Sequence, residues 1–256
     1  MDQTEMDEVT WGINQWIKPS TYTIKEADYI NSVIRLVGRE IKRKYTTLLD
    51  VPCGEGRLHS RLRSLGYEVY GVDINPKFIK RAKERYKRYS TDYLTANMKS
   101  FRLNRKFDVV LCWFGSFGYL SESDNMAALK AFSKHLNKDG ILIVDVLNKD
   151  WFAANTRVHE KHLTISEHPR FLRLVTGFLV NKRGHRYFMH TSKIYGKTGD
   201  NLKLVKRFRL PMRLYEPSEM NMLLQRVGIR TIHKFELMSL KQGAKAQHIV
   251  FVGVRT

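Results

Sequence analysis

The chain has 256 residues, 43% hydrophobic and 11% aromatic, enough for one α/β domain with an insertion and a substantial core. Its two cysteines, Cys53 and Cys112, exclude a disulfide scaffold and point to free thiols in a reducing cytoplasm. No apolar run approaches the roughly 18 residues of a membrane span, and the acidic start Met1–Glu5 lacks the apolar stretch of a signal peptide. The net charge of +20 is concentrated in two segments: residues 77–106 hold 11 Lys and Arg against 2 acids, and residues 157–215 hold 14 against 3. Two readings stand for this surplus, a field that attracts anionic ligands or a phosphate backbone and a set of merely solvated basic faces.

In chain order, residues 24–43 have helical spacing with a stripe of Ile24, Ala27, Ile30, Val33, Ile34 and Val37. A first strand, Thr47–Val51, runs into the turn Pro52-Cys53-Gly54-Glu55-Gly56-Arg57, and a helix over about 56–65 ends at Gly66. A second strand, Glu68–Asp73, ends on an acid placed to accept hydrogen bonds from a ribose diol. Asn75 and Pro76 mark the cap and first turn of a helix reaching Tyr89. A short strand at Tyr93–Leu94 precedes Asn97-Met98, and a fourth covers Val109–Cys112. A helix carrying Met126, Leu129, Phe132 and Leu136 leads to a fifth strand, Ile141–Val146. Alternating strands and helices predict a doubly wound parallel sheet with ligands at the carboxyl ends of its strands.

The pattern changes after Trp151. Phe171–Val180, Arg186–Tyr195 and Leu202–Leu210 alternate with period two, separated by the turns Asn181–Gly184 and Lys197–Asp200. They predict an antiparallel three-stranded cap over about 157–213, inserted into a core of about 24–150 and 215–256 within a single domain. Tyr215-Glu216-Pro217 opens a last helix ending near Gly228, and Ile232–Leu237 with His248–Val254 form a final strand pair.

The glycine turn lacks the third glycine of a dinucleotide fingerprint, since His59 stands there. The segment from Asp50 to Arg57 instead resembles motif I of the class I S-adenosylmethionine (AdoMet)-dependent methyltransferases. Asp73 resembles that family's second-strand acid, Phe107–Leu120 its fourth strand and following loop, and His135–Asp145 its turn into strand five. The resemblance covers roughly residues 45–150. It implies a Rossmann-like fold, AdoMet as cofactor and a methyl acceptor beside the fourth-strand loop.

By that resemblance Asp50 fixes the glycine turn through backbone N–H groups near the AdoMet amino group, and Pro52, Cys53, Gly54 and Gly56 line the site. Arg57 either contacts the methionine carboxylate or sits in solvent. Asp73 holds ribose, Ile74 flanks adenine, and Asn97 with Met98 reads the adenine edge. Trp113 and Phe114 bound the sulfonium, and Ser116 and Tyr119 are the nearest polar candidates for touching substrate.

Five of nine histidines lie in the insert (His159, His162, His168, His185 and His190), with His185 and His190 the general-base candidates. Five residues apart on a strand, those two face opposite sides and do not suggest a metal pair. Asp145 with Asn148 is too sparse for one, so no metal is expected. The loop Trp113–Tyr119 is not the N-P-P-Y of many nucleic-acid amine methyltransferases, which favours a small-molecule acceptor, with N- ahead of O-methylation. The basic cap suggests an anionic acceptor, with Arg173, Arg186, Arg207 and Arg209 as candidate contacts. The alternatives are an RNA methyltransferase using its basic surface and a non-catalytic AdoMet-binding protein.

Overall fold

The structure is a computed structural model and describes residues 20–155, 162–182, 184–243 and 245–256. Its elements are α1 (Ser20–Glu40), β1 (Thr47–Asp50), α2 (His59–Ser64), β2 (Glu68–Asp73), α3 (Pro76–Arg85), a 3-10 turn (Lys87–Asp92), β3 (Tyr93–Thr95), β4 (Phe107–Cys112), α4 (Glu122–Lys134), β5 (Leu136–Leu147) and α5 (Lys149–Asn155). Then come β6 (His162–His168), β7 (Phe171–Lys182), β8 (His185–Thr198), β9 (Asn201–Arg213), α6 (Pro217–Gln225), β10 (Ile229–Glu236) and β11 (His248–Arg255).

Seven strands make the core sheet in the order β10-β11-β5-β4-β1-β2-β3. The β1–β5 pairs are parallel, and β11 joins β5 antiparallel. β4 is buried along its whole length, so its apolar residues face helices on both sides. Leu48, Val109, Leu111 and Ile143 pack against α1 through Val33 and Val37. Leu49, Val110 and Leu142 face Leu129, Phe132 and Leu224 of α4 and α6. Ile24 is 45% exposed and lies off the buried stripe of α1.

Local chemistry sets the boundaries. The Asn75 side chain accepts from the Lys77 N–H and Pro76 opens α3, as the sequence predicts. That helix stops at Arg85 rather than Tyr89, because Tyr86 turns away: its hydroxyl donates to the Gly56 carbonyl (2.8 Å) and its ring stacks on Tyr93. Leu136 opens β5 instead of closing α4. At the lower edge, Asp108 accepts from the backbone of Thr46 and Thr47 and from Asn137. Burial pushes its carboxyl up, but those bonds outweigh it and leave the pKa at about 2.

The cap is a separate four-stranded sheet, β6-β7-β8-β9, one strand more than the period-two runs predict. The added β6 pairs with β7 from His162↔Gly177 to His168↔Phe171. The chain leaves the core at Asn148 and returns at Tyr215, and these two necks are joined. The Lys149 N–H donates to the Tyr215 carbonyl, and the Tyr215 N–H to the Leu147 carbonyl, each at 3.1 Å.

Candidate active site

A cavity of about 1220 Å³ opens where the carboxyl ends of β1, β2 and β4 meet the inner face of the cap. Ligand pockets commonly fall between roughly 300 and 1,000 Å³, so this one has room for two small molecules side by side. Its core wall contains Asp50, Pro52, Cys53, Gly54 and Arg57 from the glycine turn, Asp73 and Ile74 after β2, and Asn97 and Met98 after β3. Trp113, Phe114, Ser116 and Tyr119 come from the loop after β4. Gly56 is not on the wall; it backs onto His59, Tyr86 and Tyr93.

The grip on the glycine turn falls to the other acid. Asp73, not Asp50, clamps the glycine turn: its Oδ2 accepts from the Gly54 N–H (2.8 Å) and its Oδ1 from the Asn75 N–H (2.9 Å). Gly54 sits at φ +56°, a conformation that favours glycine and aims its N–H at that carboxylate. Asp50 instead receives its bond from the buried His59, Nε2 to Oδ2 at 3.0 Å. Burial pushes the Asp73 carboxyl up to about 6; its backbone bonds oppose this and the nearby Asp50 charge adds to it. Burial, with the Asp73 and Asp50 charges, also holds the Cys53 thiol well above its ordinary range. Neither Cys53 nor Cys112 is in a disulfide.

Arg57 neither sits in solvent nor faces the cavity alone. It pairs with Glu26, which is 1% exposed, and donates to the Thr23 hydroxyl (2.8 Å). Glu26 also accepts from the Trp113 indole (3.3 Å), so the first turns of α1 brace two wall residues at once. Asn97 accepts from the Lys99 N–H through Oδ1 (3.1 Å), which fixes its amide at the cavity edge.

The loop after β4 is held in an uncommon shape. Phe114 and Gly115 have φ of +65° and +62°, and a bulky residue in that region costs on the order of 1–3 kcal/mol. Asp145, 0% exposed, offsets this by accepting the Gly115 N–H with both oxygens, at 2.8 and 2.9 Å, while His248 Nδ1 lies 3.0 Å from Oδ2. Asp145 is thus a loop anchor, and the Asn148 amide donates to the Ala246 carbonyl.

The cap supplies the opposite wall, with Phe178, Val180, Met189, Leu210 and Pro211 as an apolar surface and Lys182, His185 and Tyr187 at its polar end. These alternate along β7 and β8, so the period-two pattern contained them, but nothing in it said which face looks inward. None of Arg173, Arg186, Arg207 or Arg209 lines the cavity; Lys182 and Lys99 do. His190 also points elsewhere, stacking on Phe208, and burial and the Arg173 charge lower its pKa to about 4. His159 lies outside the described residues, and of His162 and His168 only the strand positions are described.

The polar candidates on the wall are hydrogen-bond donors. Burial drives the Tyr119 phenol up to about 12, so it keeps its proton. Ser116 Oγ donates to the Trp113 carbonyl at 2.8 Å. A guanidinium can only donate, so the Arg213 Nη2 contact at 2.6 Å makes His185 Nδ1 the acceptor and leaves its proton on Nε2. Glu122, His185 and Glu219 form the metal-capable cluster among the described residues, and the Arg213 guanidinium fills its centre by pairing with both acids. A cation in that place would oppose a fixed positive charge.

A methyltransferase-domain family model matches residues 48–140. A dTDP-3-amino-3,4,6-trideoxy-alpha-D-glucopyranose N,N-dimethyltransferase from Streptomyces venezuelae is 31% identical over 102 residues, 39% of this chain and 42% of that protein. A glycine/sarcosine N-methyltransferase from Halorhodospira halochloris is 31% identical over 114 residues, 43% of this chain and 42% of that protein. The chain thus spans 42% of the length of each of these curated relatives. Among solved structures, an S-adenosylmethionine-dependent methyltransferase from Clostridium acetobutylicum superposes with a TM-score of 0.75 at 17% identity, covering 90% of this chain and 91% of that one. Streptomyces venezuelae DesVI superposes with a TM-score of 0.74 at 19% identity, covering 98% and 99%. At such identities the likeness is one of fold. Residues 48–140 thus match the methyltransferase-domain model, and the chain shares the Rossmann-like fold of these solved S-adenosylmethionine-dependent methyltransferases.

Proposed function

We propose that the protein transfers a methyl group from AdoMet to the nitrogen of a small-molecule amine, with the core wall holding the cofactor and the cap wall the acceptor. The observation that carries this reading is the single cavity joining both walls, with two carboxylates, Asp50 and Asp73, 3% and 7% exposed on its core side. Acids so poorly hydrated favour a cationic ligand, and AdoMet presents both an ammonium and a sulfonium. The curated relatives named above are N-methyltransferases of amino sugars and of glycine, which supports nitrogen as the accepting atom.

When bound, AdoMet supplies an activated methyl group and a neutral thioether leaving group. The protein's part is placement. Asp73 accepts from ribose, Asn97 and Met98 edge the base, and Trp113 and Phe114 shield the reacting face from water. Holding nucleophile and methyl in near-attack geometry contributes about 7–11 kcal/mol without any acid or base. Tyr119 and His185 donate, so they orient an acceptor through its oxygens; Ser116, whose proton goes to the Trp113 carbonyl, offers it lone pairs, and the amine reacts as its free base. Lys182, at the polar end of the cap wall, suits a carboxylate or phosphate on the acceptor. A reducing cytoplasm suits the two buried thiols; no helix of the described residues is long and apolar enough to cross a membrane.

The test pairs calorimetry with turnover. AdoMet and S-adenosylhomocysteine should bind while NAD does not, and a panel of amines bearing anionic groups should release S-adenosylhomocysteine. NAD binding without AdoMet binding would overturn the reading. The charge of +20 keeps an RNA acceptor as the second reading.

A further inference from the structure

Behind the glycine turn runs a chain of buried hydrogen bonds that the reaction itself does not use. Arg63 Nη1 donates to Tyr93 Oη at 3.1 Å, Tyr93 Oη lies 2.8 Å from His59 Nδ1, and His59 Nε2 lies 3.0 Å from Asp50 Oδ2. His59 is 0% exposed and Tyr93 3%. The direction of every bond follows from the two ends. As a carboxylate Asp50 can only accept, so the His59 ring donates from Nε2, and a singly protonated ring then has a bare Nδ1. That nitrogen takes the Tyr93 proton, while the Tyr93 oxygen accepts from Arg63, whose guanidinium has no acceptor. Burial drives the Tyr93 phenol above its ordinary range, which keeps that proton in place.

Two glycines make room for this chain. A Cβ on Gly56 would stand 3.1 Å from both His59 Nδ1 and Tyr93 Oη, and one on Gly71 would stand 2.9 Å from Tyr93 and 3.0 Å from His59. The rings of His59 and Tyr93 stack at 5.4 Å. Asp50, at the far end, reaches the cavity wall.

We propose that His59 and Tyr93 are positioning residues that fix Asp50 as a singly oriented acceptor for the ammonium of the cofactor's amino-acid end. This rests on reading the cavity as an AdoMet site. The donors aligned behind Asp50 polarise one another, so the carboxylate keeps one rotamer. His59, the residue that breaks the dinucleotide fingerprint, thus acquires a task.

Tyr93→Phe removes one hydroxyl and keeps the ring stack. The probes are S-adenosylhomocysteine, which carries the ammonium, and 5′-methylthioadenosine, which shares the nucleoside and thioether but lacks the amino-acid end. The variant should bind S-adenosylhomocysteine about three- to tenfold more weakly and methylthioadenosine as wild type does. Nitrogen NMR of wild type, with His59 assigned by loss of its signal in His59→Asn, should show Nε2 protonated and Nδ1 bare. Equal weakening of both ligands, no weakening, or a proton on Nδ1 would overturn the proposal while leaving the cofactor reading intact. Failure of wild type to bind either nucleoside would remove the cofactor reading and this role for Asp50 together.

Discussion

Asp73 shows how one side chain couples turn, ligand and pH. Its folded pKa of about 6 lies above the ordinary 3.8, so the empty folded protein keeps a proton the unfolded chain has released. For this group, stability is greatest below about 3.8 and declines as pH rises through about 6. On the proposed reading ligand binding runs the other way, because ribose hydroxyls bond best to the ionised form. Affinity for S-adenosylhomocysteine should be flat above neutrality and fall by up to about tenfold per unit below the pKa, as titration calorimetry across pH would record. Asp73→Ala should weaken binding about ten- to a hundredfold and flatten that profile. It should also lower the melting temperature, since the Gly54 and Asn75 N–H groups lose their acceptor. The motif made both acids visible, but not which one grips the turn. That depended on His59, whose ring reaches Asp50 only once Gly71 brings β2 close.

At the scale of elements, Arg213 joins cap to core. It ends β9 at 2% exposure, donates through Nε to Glu122 at the start of α4 (2.8 Å), pairs with Glu219 on α6, and stacks over Tyr215 at 4.9 Å. Arg213→Met should destabilise the fold by about 2–3 kcal/mol, less than for a fully buried pair because Glu122 is about one-third exposed. Arg213→Lys should recover little, a single ammonium being unable to span both acids and the His185 ring. Urea unfolding would measure both. The parallel core was readable because its strands are apolar runs bounded by turns. β6 was not: Leu163 and Ile165 alternate correctly but are 58% and 60% exposed, so burial did not select the sequence that marks a strand. The early end of α3 was equally hidden, since a tyrosine hydroxyl reaching back to Gly56 leaves no trace in helical periodicity.

For the whole molecule the question is what the charge does. The basic cap residues nominated as acceptor contacts lie off the cavity, and Arg207 and Arg209 are exposed. A single anionic acceptor therefore leaves most of the surplus unused. Labelled RNA titrated across salt should bind weakly, with a log–log slope of about −0.7 per phosphate contact, and release near physiological ionic strength without altering AdoMet turnover. Tight binding that survives such salt, with methyl incorporated into RNA, would transfer the acceptor role to nucleic acid.

The joined necks at Asn148 and Tyr215 bear on how such a protein diversifies. Because the outgoing and returning strands bond to each other where they cross the core boundary, everything beyond that doorway can be exchanged without leaving a core strand edge bare. The inner face of the cap contributes Phe178, Val180 and Met189 to the cavity, while the residues assigned to the cofactor all lie on the core side of the doorway. If the proposed division of the walls holds, selection can rewrite acceptor preference by substituting or transplanting one contiguous stretch of the gene, with the cofactor wall inherited unchanged. Beyond the doorway, Arg213 and Tyr187 are residues a transplant must preserve, because Glu122 and Glu219 stay behind in the recipient.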